Sequence, residues 1–294
     1  MKNKIVFEEP HGNNSFPISL HYTDNKLYED IIYCHWHSDI EILYVTEGAL
    51  NLQIDMNSFT IKEGEAAIIN SGEVHFGNSN DGNDCSVYAI VFSPMLLNFN
   101  SFDICQSKYI SPFMDNKYKL PNYIRRGSLY EKEILNNILK IITTMKEEAF
   151  GYELKVKATL YAILSDIISN NAFTENTEIT NQKQYKIDRL KKVLDYIQNN
   201  YMNKIYISDL AEIVSMSEDN LFKFFKTLTG KTPIGYINLY RIEMAEGLLR
   251  NDCIPLTEIC FSVGFDNISY FIKTFKKYKN CTPKEYRKKL LQNL

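Results

Sequence analysis

Two stretches of this 294-residue chain carry the side chains that do chemistry. The first is His35-Trp36-His37, followed by Glu41 and Gly48, with Gly64, Gly72 and His75 downstream. Imidazoles and a carboxylate hold transition metals or hydrogen-bond a polar ligand. His35, His37 and Glu41 share parity, so one extended strand would aim all three at the same face. Trp36 and Tyr44 have the opposite parity, as core or as a surface on which a sugar or aromatic molecule stacks. The second stretch is KTFKKYKNCTPKEYRKK near the C-terminus. Its Lys276, Lys277, Lys279, Lys284, Arg287, Lys288 and Lys289 read as general affinity for phosphate, some of them as a merely solvated face.

Charge separates the two stretches. Residues 1–185 hold 15 Lys and Arg against 24 Asp and Glu, whereas 186–294 hold 18 against 12, which together give the net charge of -3. An acidic front and a basic back confine contact with a polyanion to the rear. At 45% hydrophobic and 23% charged, the chain can build real cores, and its length suits two domains. Twelve Gly and eight Pro exclude a collagenous or low-complexity chain. No apolar run approaches the roughly 18 residues of a membrane span, and MKNKIVFEEPHG lacks the apolar stretch of a secretory signal. The six cysteines form no CxxC pair, which reads as reduced thiols in the cytoplasm.

The elements that position these residues follow from pattern. Residues 1–95 have short apolar runs broken at Glu47-Gly48, Asn57-Ser58 and Glu63-Gly64, the rhythm of a sandwich or barrel. From Ser128 the period changes to 3.6: Leu129, Ile134, Leu135, Ile138, Ile141, Ile142 and Met145 stripe one helix, and a second follows Gly151. This hairpin over 128–172 needs a partner for its stripe, either the barrel or another subunit. The polar segment 173–185 reads as a linker, and helix after helix follows from Lys186.

The basic half repeats at an offset of 50. Phe225-Lys226 recurs as Phe275-Lys276, Thr232-Pro233 as Thr282-Pro283, and Tyr236 as Tyr286. Gly230 falls on Asn280, the residues that best tolerate the left-handed end of a helix, and Thr-Pro then starts the next one. Each copy holds two short helices: Ser208 capping DLAEIV then EDNLFKFFKTLT, and Pro255 opening LTEICFSV then NISYFIKTFKKYK. Ala211 and Cys260 are small enough for the close crossing, and Ser215 and Gly264 have the backbone tolerance the turn needs. Leu221, Phe224, Phe225, Phe271 and Phe275 are helical core by spacing. The helix TPIGYINLYRIEMAEGLLR spans roughly 27 Å at ~1.5 Å per residue. With its flanking units it approaches one ~34 Å turn of duplex, so two recognition helices can reach successive major grooves.

GFDNISYFIKTFKKYKNCTPKEYR, with RIEMAEGLL and the preceding half-repeat, resembles the DNA-binding domain of AraC-type transcription regulators over about residues 186–290. The resemblance implies two helix-turn-helix units that bind double-stranded DNA. By position it implies base-facing Asp219, Phe222 and Lys223 on the first recognition helix. On the second it implies Ile268, Ser269, Ile272 and Lys273, with Lys276 beside them. Asp219 can accept from cytosine or cap its helix, and Phe222 can touch a thymine methyl or pack on the core.

The spacing HxHxxxExxxxxxG, with the later glycines and His75, resembles the cupin β-barrel, whose two motifs supply three histidines and a glutamate to a metal. Such a set would suit Fe, Mn, Ni, Cu or Zn. Asn70 stands where that family usually has proline. AraC-type regulators commonly carry a cupin-like front domain that binds a small effector, often without metal. His35, Trp36, His37, Glu41 and His75 are therefore read as effector-binding, with no cofactor. If a metal is held, its ligands are His35, His37, Glu41 and His75.

The expected fold class is α+β and multidomain: a cupin-like β-barrel over 1–127, a helical hairpin over 128–172 that pairs subunits, a linker over 173–185, and an all-α double helix-turn-helix domain over 186–294. The expected function is a cytoplasmic, homodimeric regulator, not an enzyme, that activates transcription through RNA polymerase in response to a small molecule. Carbohydrate is the effector class this reading expects. The alternative is a metal-dependent cupin enzyme fused to a DNA-binding module.

Overall fold

The computed structural model describes residues 15–24, 30–79, 84–98, 103–176 and 181–292. The stretch MKNKIVFEEPHG lies outside them. Contacts divide the chain into two compact units, the division falling between Asn181 and Gln182.

The N-terminal unit is built on antiparallel strands. β1 (Ile18–Asp24), β3 (Ile40–Glu47), β6 (Ala66–Ile69), β8 (Ser86–Phe92) and β10 (Tyr123–Ile124) make one sheet in the order β1-β8-β3-β6-β10. β2 (Asp30–His35), β4 (Ala49–Ile54), β5 (Asn57–Lys62) and β7 (His75–Ser79) make the second, in the order β2-β7-β4-β5. One core lies between the sheets: Leu43, Val45, Ala67, Ile69 and Val87 meet Leu50, Leu52, Ile54 and Ile61. The alternate residues of β3, Ile40, Ile42 and Tyr44, face the other way and join a second core. β3 is thus buried on both faces, which explains its unbroken run IEILYV.

The second core is completed by α2 (Leu129–Glu147) and α3 (Tyr152–Ser169). Ile134, Ile138 and Ile141 of α2 and Val156, Leu160 and Ile167 of α3 pack on Ile42, Ile68, Ile90 and Phe92 of the sheet. Each fully buried Ile or Leu contributes roughly 1.5–3 kcal/mol. The barrel sheet is therefore the partner of the hairpin's stripe. Leu129, which the periodicity assigns to that stripe, is 83% exposed. Ser128 closes a capping box with Glu131, so helix geometry begins at Leu129 whatever its burial. A π-helix (Gln106–Ile110) and α1 (Ser111–Met114) lead to β9 (Tyr118–Lys119), which pairs with β11 (Thr174–Glu175). Part of the segment read as a linker is thus a strand, and α4 begins within its end at Asn181.

One turn assignment shifts. The β4–β5 reversal sits at Asp55-Met56, with Ile54 opposite Asn57, rather than at Asn57-Ser58. Asp55 takes the left-handed conformation (φ 50°) and its carboxylate accepts from the Val74 N–H, so it fills the role expected of the asparagine. Gly48 and Gly64 turn as expected, both at φ 74°.

The C-terminal unit holds α4 (Asn181–Asn200), α5 (Ile207–Ile213), α6 (Glu218–Thr229), α7 (Pro233–Leu249), α8 (Leu256–Ser262), α9 (Ile268–Lys279) and α10 (Pro283–Gln292). The repeat reads directly onto it. Gly230 (φ 71°) and Asn280 (φ 54°) end α6 and α9 in the left-handed conformation. Thr232 and Thr282 then accept from the N–H three residues on and start α7 and α10. Ser208 does not cap α5: Tyr206 is the N-cap and Ser208 lies in the first turn.

Candidate functional site

His35, His37, Glu41 and His75 come together, their ligand atoms all within 4.8 Å of one another. One continuous strand does not do this. β2 ends at His35, the chain bends at Ser38-Asp39, and β3 starts at Ile40, so His37 reaches the group from the corner. Glu41 arrives from β3, with the parity of the inward-facing Leu43 and Val45. His75 opens β7 directly opposite His35.

Each imidazole is fixed from behind by the main chain. Nδ1 of His35 donates to the Tyr33 carbonyl at 2.8 Å, that of His37 to Asp39 at 3.0 Å, and that of His75 to Glu73 at 3.0 Å. A carbonyl has no proton to give, so every Nδ1 carries one and every Nε2 faces the cluster. Nε2 of His37 lies 3.1 Å, and that of His75 3.0 Å, from the same Glu41 oxygen. His75 is fully buried, so its Nε2 meets that carboxylate out of reach of solvent. Burial, and then the neighbouring His75, push the His35 imidazole down to about 3. Burial works against charge at Glu41 too, but His37 and His75 outweigh it and hold the carboxyl well below the usual range. Burial likewise opposes charge on His37, and its bond to Glu41 reverses the sign, raising it. Three nitrogen donors and one buried carboxylate fit a divalent transition metal as a ligand set. Trp36 is half-buried, and Tyr44 is core on the helix side.

A separate cavity of about 40 Å³ lies between the outer sheet face and α3, lined by Ile42, Phe92, Leu97, Ile110, Leu160 and Leu164. It is apolar and far below the ~300 Å³ of a ligand pocket.

In the C-terminal unit two helix pairs carry the expected turn. Ala211 and Cys260 are buried, and four residues on Ser215 (φ 52°) and Gly264 (φ 90°) take the left-handed conformation. Ser217 and Asn267 then cap α6 and α9. The second turn is one residue longer, since Ala211 lies six residues before its cap and Cys260 seven. Asp219, Lys223, Ser269, Lys273 and Lys276 are exposed, and Phe222, Ile268 and Ile272 are half-buried, so none of the eight lies in the core. Leu221, Phe225, Phe271 and Phe275 are fully buried, whereas Phe224 is only half-buried.

Other residues depart from expectation. Lys279 is buried and paired with Glu243 at 2.9 Å and with Glu246, so it is no phosphate contact. Arg287 is half-buried and donates to the Ile254 carbonyl at 2.7 Å. Conversely, exposed Asn220 and Tyr270 occupy equivalent places in the first turns of α6 and α9, and Lys226 matches Lys276. The repeat already pairs Lys226 with Lys276; followed through every position, it pairs Asn220 with Tyr270 as well.

A polar ligand cluster within one unit, and paired helix-turn-helix elements in the other, define a ligand-binding, DNA-binding transcription regulator. Residues 21–164 match the AraC-like ligand binding domain, and residues 210–289 match a helix-turn-helix domain. The chain belongs to the AraC-type family of transcription regulators. It is 27% identical to the HTH-type transcriptional regulator YdeC of Bacillus subtilis, over 98% of this chain and 99% of that one. It is 28% identical to the Msm operon regulatory protein of Streptococcus mutans, over 60% of this chain and 66% of the other. A crystal structure of ToxT from Vibrio cholerae is 16% identical, with a TM-score of 0.49, covering 94% of this chain and 99% of that one.

Proposed function

We propose that this regulator reads an asymmetric DNA site with both recognition helices and is switched by a small molecule held at the His35, Trp36, His37, Glu41 and His75 cluster. Asp219, Phe222 and Lys223 address one major-groove segment. Ile268, Ser269, Ile272 and Lys273 address the next, while Lys276 grips phosphate. The observation that carries this is the repeated one: two capped helices, each behind a left-handed turn, with all eight named side chains outside the core.

The 128–172 hairpin pairs two copies through what the barrel leaves uncovered, namely Leu139, Phe150 and Leu154, which are 40%, 110% and 76% exposed. The homodimer acts in the cytoplasm and activates transcription by contacting RNA polymerase. Imidazoles and a carboxylate suit the hydroxyls of a carbohydrate, which the apolar cavity does not. Family membership supports a regulator rather than an enzyme. No helix among the described residues is long and apolar enough to cross a membrane.

Binding to a site selected from random duplex tests the assignment. Lys273→Ala is expected to weaken the selected site more than random duplex, by about 1–3 kcal/mol. Lys288→Ala, exposed on α10, weakens both alike and lowers the salt slope by about 1. Equal behaviour of the two variants refutes the separation of readers from phosphate contacts.

A further inference from the structure

We infer that the β6–β7 turn is a clasp that couples the polar cluster to the segment leading toward the C-terminal unit. Glu73 aims His75 with its carbonyl and holds β9 with its carboxylate, and β9 in turn holds β11. A molecule that turns the His75 ring thereby loosens Thr174–Asn176. This names the regulation of the cluster, and it rests on the effector reading above only for what does the turning.

Two buried polar side chains make the clasp. Asn70 and Glu73 are 5% and 4% exposed, and groups so buried find their partners inside the protein. The Glu73 carboxylate accepts from the Asn70 N–H at 2.8 Å, from the Asn122 side-chain amide at 2.8 Å and from the Lys119 ammonium at 2.9 Å. Asn70 meets both main-chain groups of Leu120. Its oxygen accepts from the Leu120 N–H at 2.8 Å, and its amide donates to the Leu120 carbonyl at 3.0 Å. One side chain thus does for Leu120 what a neighbouring strand would do. Asn70 also stands where the barrel motif expects proline, and proline has neither the N–H nor the amide that these bonds need. The same turn touches the cluster from behind. Nδ1 of His75 donates to the Glu73 carbonyl at 3.0 Å, and the Gly72 N–H donates to the His37 carbonyl at 2.8 Å.

Lys119 is the joint. Its ammonium lies on Glu73, and its backbone stands opposite Thr174 in a ladder of two residues. Asn176 extends that ladder with two bonds, from its N–H to the Lys117 carbonyl at 2.8 Å and from its side chain to the Asn116 carbonyl at 2.9 Å. Thr174, Glu175 and Asn176 are all exposed, so this end opens at low cost, whereas the Asn70–Glu73 end is buried. A displacement entering at the rigid end is therefore released at the soft one. Phe173, its ring centroid 4.7 Å from that of Tyr118 and 5.9 Å from that of Phe113, anchors the strand from behind. Release of Thr174–Asn176 adds three residues, roughly 10 Å at ~3.3 Å each, to the reach of the chain that leads into α4.

Hydrogen–deuterium exchange on the full-length chain, with no effector added, tests the coupling from one side. Glu73→Gln and Lys119→Met should each raise exchange at least about 10-fold at residues 117–122 and also at 174–176, leaving β3 and β8 as they are. His75→Phe should raise it at 174–176 as well. Coupling is reciprocal, so Asn176→Pro, which removes both bonds that Asn176 makes, should shift the NMR signal of the His75 Nδ1 proton. Asn176 is exposed and the Lys119 ammonium is near the surface, so these two variants keep the coupling measurable even if Glu73→Gln does not fold. Faster exchange confined to 117–122, an unmoved His75 signal, or a rise spread equally over β3 and β8 would overturn the clasp. The His75 signal is then followed in millimolar D-glucose, D-galactose and D-xylose. Sugars that leave it unmoved while the variants couple sink the carbohydrate reading alone. Sugars that move it without altering exchange at 174–176 sink the clasp alone.

Discussion

Gly264 shows how one residue ties the second helix-turn-helix unit to α7 and to the chain after α4. At φ 90° it lies where side chains are strained, and a Cβ there would stand 2.2 Å from the Tyr201 carbonyl oxygen and 3.0 Å from Arg241 Nε. That same carbonyl accepts from Arg241 Nε at 2.8 Å, and a second guanidinium nitrogen reaches the Asn203 carbonyl at 2.8 Å. The turn before α9, the strut α7 and the chain after α4 therefore meet at one point. Gly264→Ala is expected to cost roughly 2–4 kcal/mol, combining backbone strain with displacement of main chain. Gly247 lies in α7, and a Cβ there would meet nothing within 4 Å, so Gly247→Ala should stabilise by about 0.5–1 kcal/mol. Urea titration of both variants decides the point. A silent Gly264→Ala would mean that the junction yields. The need for tolerance at Ser215 and Gly264 is legible in the chain because backbone rules act locally. The pairing of Gly264 with Tyr201, 63 positions away, is not.

Among elements, α9 is held by more than its apolar face. Phe271 and Phe275 are fully buried, and Lys279 at its end is pinned to Glu243 and Glu246 of α7, with Tyr286 of α10 bonded to Glu246. The two carboxylates outweigh burial and raise the Lys279 ammonium above its ordinary range. Lys279→Ala leaves two partly buried carboxylates without their cation and should cost roughly 2–4 kcal/mol. It should lower thermal stability while leaving the salt slope of DNA binding unchanged. A reduced slope would return Lys279 to the phosphate contacts. Sequence alone places it there because a lysine in a basic run looks solvated, and its partners lie 36 and 33 residues upstream. The hairpin is a similar case: the 3.6 period identifies α2 and α3, yet periodicity cannot say which surface covers a stripe. The β2–β3 corner at Ser38-Asp39 is hidden too, since parity counting assumes a strand that never bends. Motif spacing picks out the four clustered residues, but not the bend that joins them.

At the scale of the molecule, charge and fold divide together. The basic residues of the rear half belong to the unit that carries both recognition helices, and the acidic front builds the sheets and the polar cluster. Within the rear unit α7 is a continuous helix of 17 residues, about 26 Å long at ~1.5 Å per residue. It makes contact with α6 on one side of the repeat and with α8 and α9 on the other. A strut of this kind fixes the spacing of the two helix-turn-helix units, and on the proposed function that spacing is what would let one chain read two grooves. Hydroxyl-radical footprinting on a selected site measures this most directly. The account predicts two protected segments about one helical turn (~10 bp) apart, with Lys223→Ala eroding one end and Lys273→Ala the other. A single protected segment, or two that both substitutions erode alike, would contradict it.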